Sequence, residues 1–292
     1  MTFIPDRLID LHSHTNESDG SLAPEELIRL AVETRLAALA ITDHDTFEGY
    51  SMASPFAQAA GLELIRGIEL NSRLELDGRV RWAHILAYFP FGEPAPVFLD
   101  WLEDQRDDRR NRNRILAERL QSQGIEVRLE EVEARGKSLA GRPHFARVLV
   151  DKGYATDADD AFRRYIGEDA PTFVERQSLR TEEVIGLILE GGGVPVIAHP
   201  IRLSLPHGNH ERQVFEYLKR SGLLGLEVIH SDQSAALQRY YADLANDLGL
   251  IGTGGSDFHG TPKPDVRLGT GRDNVQVPYA FLEDLRGALR RA

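Results

Sequence analysis

The sequence predicts an α/β fold, a distorted (β/α)7 barrel with an inserted helical cap subdomain. Three observations lead to this prediction. Short apolar runs alternate with amphipathic helical stretches, several of those runs end in His, Asp or Glu, and the alternation stops in mid-chain and then resumes. Such alternation indicates parallel strands joined by helices. We therefore assign residues 1–91 and 179–292 to the barrel and residues 92–178 to the cap.

The first predicted strand contains Leu8 and Ile9 and leads into His12-Ser13-His14. Residues two apart lie on the same face of an extended chain, so the two imidazoles point the same way. A pair with this spacing can hold one divalent ion. A short His-x-His motif taken alone equally fits two exposed or hydrogen-bonded histidines. Asp19 follows in a polar loop.

The same pattern recurs at the ends of later apolar runs. Strand ends that gather at one edge are where barrels place their chemistry, so several such ends carry more weight than one. The terminal groups are His44 within Asp43-His44-Asp45, Glu69 after Gly67-Ile68, His84 after Trp82, His199 before Pro200, and Asp257 with His259 after Gly254-Gly255-Ser256.

Two segments interrupt the alternation. Asp77-Gly78 between two extended runs predicts a hairpin, with His84 on the returning strand. The cap begins with a long predicted helix, residues 97–123, in which arginines are mixed with aspartates. Because those charges occupy many faces of the helix, we interpret them as a solvated surface and not as a nucleic-acid site. Residues 141–151 and 157–166 predict further short helices.

Composition limits the function. The 292 residues carry 34 Lys and Arg against 46 Asp and Glu, a net charge of −12, which argues against a broad nucleic-acid footprint. The absence of cysteine excludes disulfides and thiolate metal sites and leaves nitrogen and oxygen ligands. No run approaches the roughly 18 apolar residues of a membrane span, and the N-terminus lacks a signal-peptide pattern, so we expect a cytoplasmic protein.

Taken together, the motifs resemble the PHP (polymerase and histidinol phosphatase) family of the amidohydrolase superfamily. The resemblance covers nearly the whole chain, and Gly141-Arg142-Pro143-His144 narrows it to the TrpH/YciV-like branch, which includes nucleoside 3′,5′-bisphosphate phosphatases and a 5′→3′ exoribonuclease. The motifs that carry it are His12-x-His14, Thr42-Asp43-His44-Asp45, Gly67-Ile68-Glu69, Ala198-His199-Pro200 and Ser256-Asp257-x-His259.

The candidate ligands are nine. His12, His14, Glu69 and Asp257 supply enough donors for one divalent cation. The resemblance implies that Glu69 bridges to a second ion completed by His84 and His199, and leaves Asp19, His44 and His259 for a third. Many family members carry His at the position of Asp19, so occupancy of the third site is open. We expect two to three ions, foremost Mn²⁺, with Zn²⁺, Fe²⁺ or Mg²⁺ as alternatives. Asp43 and Asp45 can orient His44.

Clustered metals with anionic ligands suit phosphoester hydrolysis. We assign Asp257 and His207 to catalysis. Each candidate for substrate binding is, taken singly, an ordinary surface residue, but the family layout places them beside the metals. These candidates are Arg142, His144, Arg202 and His207, with Lys137, Ser138 and His230 as weaker ones.

The resemblance implies a phosphatase that removes the 3′-phosphate of nucleoside 3′,5′-bisphosphates. The expected partner is therefore a small phosphorylated nucleotide, with no membrane and no obligate protein partner. Three alternatives stay open: a 5′→3′ exoribonuclease on short RNA, a histidinol-phosphate phosphatase, and a non-catalytic binding module.

Overall fold

The structure is a computed structural model that describes residues 7–136, 140–174 and 179–290. The chain divides into two compact units, residues 1–99 with 178–292, and residues 100–177. The strands of the described residues are β1 (Leu8–Asp10), β2 (Ala38–Ile41), β3 (Glu63–Leu76), β4 (Arg79–Tyr88), β5 (Val194–Ile197), β6 (Gly225–His230), β7 (Ile251–Gly255) and β8 (Val277–Pro278). The helices are α1 (Pro24–Glu33), α2 (Glu48–Ala60), α3 (Pro96–Ser122), α4 (Leu129–Gly136), α5 (Arg142–Asp151), α6 (Ala158–Ala161), α7 (Thr181–Glu190), α8 (Asn209–Arg220), α9 (Ala235–Leu248) and α10 (Ala280–Ala288).

All the strands of the described residues form one sheet in the first unit, in the order β7-β6-β5-β4-β3-β2-β1-β8. Neighbours pair in parallel except β4, which is antiparallel to β3 and to β5, and β8, which is antiparallel to β1. The α/β class and the hairpin at Asp77-Gly78 are thus confirmed. The strand count is larger than the predicted seven by β8, whose two residues are too short for a periodic sequence signal.

The sheet closes almost completely, because β1 comes back to β7. The Leu11 N–H donates to the Gly254 carbonyl over 3.1 Å, and the Asp257 N–H donates to the His12 carbonyl over 2.9 Å. A Cβ on Gly255 would lie 2.4 Å from both the backbone nitrogen and the Cβ of His12. Only glycine fits at this approach, which places the residues after β1 beside those after β7.

Two apolar clusters hold the first unit together. One joins the strands to α10 through residues such as Ile9, Val196 and Leu282, all fully buried. The other packs β2 against α1 and α2 through Leu27, Leu39 and Ala53. Burying apolar side chains on helices and strands alike is what fixes the layers of an α/β domain.

The second unit is helical in its described residues and has its own core, centred on Leu116, Val132, Phe145 and Leu149. It holds most of α3 and all of α4 to α6, and α6 continues into a π-helical turn over Phe162–Ile166. The three helices predicted for the cap are present as α3, α5 and α6 with its π-helical turn, while α4 was not expected. No helix in the described residues is both long and apolar enough to cross a membrane.

Candidate metal centre

Eight of the nine candidate ligands lie within or just after strands of the first unit, and Asp19 lies in a loop. His12 and His14 follow β1, His44 follows β2, and His199 follows β5. Parallel strands bring their carboxyl ends to one edge, and for this reason residues far apart in sequence meet there. The remaining ligands are Asp19 in the loop before α1, Glu69 in β3, His84 in β4, and Asp257 with His259 after β7.

Glu69 occupies the middle of this set. Its side chain is 1% exposed, and its two carboxylate oxygens face different groups of imidazoles. Within residues 7–136, 140–174 and 179–290, Oε1 lies 2.8 Å from His84 Nδ1 and 2.9 Å from His199 Nε2, while Oε2 lies 3.2 Å from His14 Nε2, 3.3 Å from His12 Nε2 and 3.5 Å from His44 Nε2. A carboxylate divided in this way has the geometry of a bridging ligand.

Three overlapping groups among the described residues have ligand atoms that all lie within 4.8 Å of one another: His12 with His14, Glu69 and Asp257; His14 with Asp19, His44 and His259; and His44 with Glu69 and His84. The first group is the set expected for one ion, and the second contains the set expected for the third ion together with His14. His199 belongs to none of these groups, although it contacts the same Glu69 oxygen as His84.

Asp19 is the most exposed of the ligands, with 37% of its side chain accessible. Its shortest contact to an imidazole is also longer than the 2.8 Å shortest contact of Glu69. Its Oδ1 lies 3.2 Å from His259 Nε2, and its Oδ2 lies 3.8 Å from His44 Nε2. Asp19 therefore closes the outer side of the cluster and is less tightly held than Glu69.

The buried groups differ in their electrostatics: against the effect of burial, the carboxylates around His12 and His14 raise the pKa of both imidazoles, that of His14 to about 9, whereas Glu69, His199 and His44 are set for ligand chemistry. Burial by itself would raise the pKa of Glu69, but the imidazoles of His44 and His12 outweigh burial and hold that pKa well below its usual range. Burial lowers the pKa of His199 to about 3, even though Glu69 opposes the effect. Burial likewise lowers the pKa of His44 to about 4. At neutral pH the carboxylate is thus ionised, and these two imidazoles are neutral with free lone pairs.

The residues fit a divalent metal centre. Within the part of the chain that the structure describes, both ring nitrogens of His14 and Nδ1 of His44 are buried without a hydrogen-bond partner. Buried polar atoms are normally paired, so imidazole nitrogens that have no partner and lie beside carboxylates fit the donor set of a divalent cation. His199 (φ 26°) and Asp257 (φ 56°) also hold left-handed backbone conformations. Such conformations cost non-glycine residues about 1–3 kcal/mol each and cluster at functional sites.

Supporting residues that the sequence did not identify hold the ligands in place. Glu227, fully buried in β6, lies with its Oε1 2.8 Å from His12 Nδ1, and its Oε2 accepts the His199 backbone N–H over 2.6 Å. The available signal in the sequence was a carboxylate between the apolar residues Leu226 and Val228. Asp10, also fully buried, accepts the backbone N–H groups of His12 and Ser256. These carboxylates fix ring orientation and backbone position.

Asp43 does not orient His44, contrary to expectation. Its carboxylate accepts hydrogen bonds from the Thr15 backbone N–H over 2.7 Å, from the Thr15 hydroxyl over 2.6 Å and from the Ser18 hydroxyl over 2.6 Å. Asp43 therefore organises the loop that leads to Asp19.

Glu227→Gln should lower metal affinity about 10–100-fold, the usual cost of losing a partner that orients a ligand. The amide keeps the volume of the carboxylate but replaces one acceptor oxygen by a donor, which disturbs the bond to His12 or to His199. Titration of the metal-free protein with Mn²⁺, followed by calorimetry, measures the affinity. An unchanged dissociation constant together with an unchanged melting temperature would show that Glu227 does not support the ligands.

The candidate substrate residues of the first unit are Arg202 and His207. The guanidinium of Arg202 is already engaged: Nε and Nη2 donate to Asp232, and Nη2 also donates to Asp257 over 2.9 Å. His207 is half exposed, and its Nδ1 lies 2.9 Å from Oε2 of the buried Glu211. Tyr240 and Tyr241 donate their hydroxyls to the same carboxylate. Glu211 thus fixes the orientation of the His207 ring.

The candidate residues of the second unit have structural contacts there. Arg142 is half-buried and stacks over the rings of Phe162 and Phe173, with its guanidinium carbon 5.9 Å and 5.6 Å from their centroids. His144 is buried at the start of α5, where its Nδ1 accepts the Gly141 N–H over 3.2 Å. Lys137 and Ser138 lie outside the described residues.

The chain is similar in sequence and in fold to several known proteins. The sequence model of the PHP domain matches residues 10–165. The chain is 35% identical to the 5′-3′ exoribonuclease Rnm of Escherichia coli, over 90% of this chain and 88% of that protein. It is 33% identical to the 3′,5′-nucleoside bisphosphate phosphatase of Chromobacterium violaceum, over 97% and 98%. A solved structure from Bifidobacterium adolescentis, considered to be a metal-dependent phosphoesterase, superposes with a TM-score of 0.78 at 29% identity and covers 96% of each chain.

Proposed function

The chain belongs to the PHP domain family, and we propose that it is a metal-dependent phosphatase that removes the 3′-phosphate of nucleoside 3′,5′-bisphosphates. The observation that carries the proposal is the position of Glu69, whose two oxygens face separate groups of imidazoles. One carboxylate that serves two cations is suited to phosphoester hydrolysis. The choice of substrate rests on the similarity to the Chromobacterium violaceum bisphosphatase over nearly the full length of both chains.

The reaction consumes one water and breaks the bond between phosphorus and the 3′ oxygen, giving inorganic phosphate and the nucleoside 5′-monophosphate. Divalent ions held by the nine ligands would make hydroxide available near neutral pH and neutralise phosphate oxygens. Other residues of the chain hold the ligands in position. Glu227 orients the ring of His12, and Asp10 accepts the backbone N–H of the same residue. Asp257 serves as a ligand.

An exoribonuclease is the second candidate. The Escherichia coli and Haemophilus influenzae relatives, 35% and 32% identical to this chain, are named 5′-3′ exoribonucleases. Cleavage of a 3′ phosphodiester and of a 3′ monoester differ only in the second substituent on phosphorus, so one metal centre can serve both. The net charge of −12 favours the smaller substrate, because a long polyanion is repelled at a distance.

The test is an assay of the Mn²⁺-reconstituted protein with adenosine 3′,5′-bisphosphate, adenosine 3′-monophosphate, histidinol phosphate and a 5′-phosphorylated short RNA. Released phosphate and chromatographed nucleotides are the readouts. We expect the highest kcat/KM on the bisphosphate, with the 5′-monophosphate as product. Shortening of RNA without efficient release of phosphate from the bisphosphate would favour the exoribonuclease. Preference for histidinol phosphate would exclude both the bisphosphate phosphatase and the exoribonuclease.

His207 is the residue of the first unit that we assign to the substrate's second phosphate. Glu211 holds Nδ1, and Nε2 has no hydrogen bond to any described residue, so Nε2 is available to a phosphate group. A hydrogen bond to a charged group is worth about 1.5–3 kcal/mol, or about 10–150-fold in binding. His207→Ala should therefore lower kcat/KM for the bisphosphate at least about tenfold and change turnover of the 3′-monophosphate much less.

His210→Ala is the matched control, because His210 lies three residues away and pairs with the exposed Asp77. Equal proportional losses on both substrates in His207→Ala would assign His207 to the chemistry or to the fold. Arg202→Ala should lower turnover of both substrates, since Arg202 contacts Asp257 directly. For Arg142, in the second unit, binding of the second phosphate stays a prediction from the sequence.

A further inference from the structure

A lysine that the sequence did not single out contacts one of the metal ligands. Lys263 Nζ lies 2.6 Å from Oδ2 of Asp257, six residues earlier in the chain. Its backbone is fixed, because its N–H donates to the Gly260 carbonyl and its carbonyl accepts the Val266 N–H, each over 3.0 Å. The Thr261 N–H donates to the Ser21 hydroxyl and ties the same loop to the segment before α1. Lys263 therefore reaches Asp257 from an anchored turn.

The carboxylate of Asp257 has two distinct sides. Its Oδ1 faces the ligand cluster, 3.5 Å from His12 Nε2 and 3.4 Å from His14 Nε2. Its Oδ2 faces away from those two imidazoles. The residues around Oδ2, among those described, are Lys263, Arg202 at 2.9 Å and His230 at 3.3 Å. A set of nitrogen donors thus stands immediately beside the metal centre.

Of the other two donors, His230 has no N–H to spare, and Arg202 shares its charge with a second carboxylate. The Asp232 N–H donates to His230 Nδ1 over 3.0 Å, so the proton of a neutral His230 is on Nε2, which faces Asp257. Both ring nitrogens are then in use. Arg202 donates from Nε and Nη2 to Asp232. Asp232 offsets much of the charge of Arg202.

Lys263 has donors left and, unlike Arg202, no second carboxylate partner among the described residues. An ammonium group has three N–H bonds, and in the described part of the chain Nζ has one hydrogen-bond partner, Asp257. Its side chain is 27% exposed, whereas that of Asp257 is 3% exposed. Lys263 thus extends from solvent to the buried ligand and can accept a second anionic partner without losing the first.

We propose that Lys263 binds the phosphoryl group that is hydrolysed and the inorganic phosphate released from it. The inference rests on the proposed phosphatase function. A phosphoryl group held at the centre adds negative charge beside Asp257, in a protein that already carries a net charge of −12. A compact ammonium with free donors is the group suited to balance that charge. This role is distinct from that of His207, which we assign to the second phosphate.

The test is the binding of inorganic phosphate to the Mn²⁺-reconstituted protein, measured by calorimetry. Lys263→Met removes the charge and keeps most of the apolar stem, and it should weaken phosphate binding at least about tenfold, the lower bound for a charge-assisted hydrogen bond. Lys263→Arg should keep most of the affinity. Arg272→Met is the matched control: Arg272 pairs with Asp232 and Asp265 in the same network and does not contact Asp257. It should bind phosphate like the parent protein.

Metal content is measured on every variant. Unchanged phosphate affinity in Lys263→Met would overturn the proposal, and so would loss of metal in that variant, because the lysine would then act by holding Asp257. If Lys263→Met does not fold, Lys263→Gln takes its place with the same expectation. Phosphate binding does not depend on which ester is hydrolysed. A parent protein that binds phosphate through Lys263 but leaves nucleoside bisphosphates intact would thus overturn the proposed substrate and not this inference.

Discussion

Removal of divalent metal should abolish phosphatase activity, and addition of Mn²⁺ to the stripped protein should restore it. The imidazoles of His12 and His14 and the carboxylates of Glu69 and Asp257 have ligand atoms within 4.8 Å of one another, and we expect this group to act in catalysis through the cations that it binds. Loss of one residue that supports a metal ligand typically lowers activity about 10–100-fold. Loss of the ions themselves should therefore reduce the rate to below about one hundredth of that of the metal-loaded protein. The measurement is phosphate release before chelation, after chelation and after add-back, with metal content by mass spectrometry.

The same experiment has a stability readout. A ligand that binds only the folded state stabilises it by about 2.7 kcal/mol when its free concentration is about 100 times its dissociation constant. Mn²⁺ should therefore raise the melting temperature of the stripped protein. Treatment with metal-saturated chelator is the control for effects of the chelator itself. Full activity in a sample that contains less than one equivalent of metal would contradict a metal-dependent mechanism.

Much of the site could be predicted because the geometry of a β-strand determines which side chains point to the same face. His12 and His14 are two residues apart at a strand end, so their rings share a face whatever the rest of the chain does. The barrel then brings such ends to one edge. The position after an apolar run, repeated at Glu69, His199 and Asp257, sufficed to collect residues that the structure places together.

The contacts between charged groups could not be predicted, because sequence spacing does not select the partner of a long side chain. Arg202 was expected to be free for a phosphate, but the structure pairs it with Asp232 and Asp257, which lie 30 and 55 residues away in sequence. Lys263 had no signal beyond its charge. Glu227 could have been noticed as a carboxylate inside a buried strand, but its partner, His12, lies 215 residues away in sequence.

Strain at the ligands was also beyond sequence analysis. His199 has a positive φ. Such a conformation favours glycine, and neither His199 nor the Pro200 that follows it indicates this conformation in the sequence. The backbone there is held by long-range contacts, including the hydrogen bond from the His199 N–H to Glu227. Residues in such conformations persist only where the surrounding structure imposes them. The surrounding structure, and not local preference, therefore sets the direction of this imidazole.

Glu69→Ala should impair activity far more than Asp19→Ala. The carboxylate of Glu69 contacts two imidazoles through one oxygen and three through the other among the described residues, and it is almost completely buried. Asp19 is 37% exposed and lies on the outer side of the cluster. Loss of a supporting residue lowers activity about 10–100-fold, and we expect loss of a ligand of one ion to lower kcat/KM by a similar factor. Loss of a ligand that two ions share should lower kcat/KM more than about 100-fold.

The comparison needs kcat/KM for both variants at saturating Mn²⁺, with the number of bound ions determined for each. Because alanine at a fully buried position leaves a cavity and uncompensated imidazoles, Glu69→Gln is measured as well. It keeps the volume and removes the negative charge, so it should lose activity almost as severely while it keeps the fold. Glu69→Ala should bind fewer ions than Asp19→Ala, because one carboxylate supports two sites. Similar kcat/KM and similar ion counts in the Glu69 and Asp19 variants would contradict the bridging role of Glu69, and the two ions would then have independent carboxylate ligands.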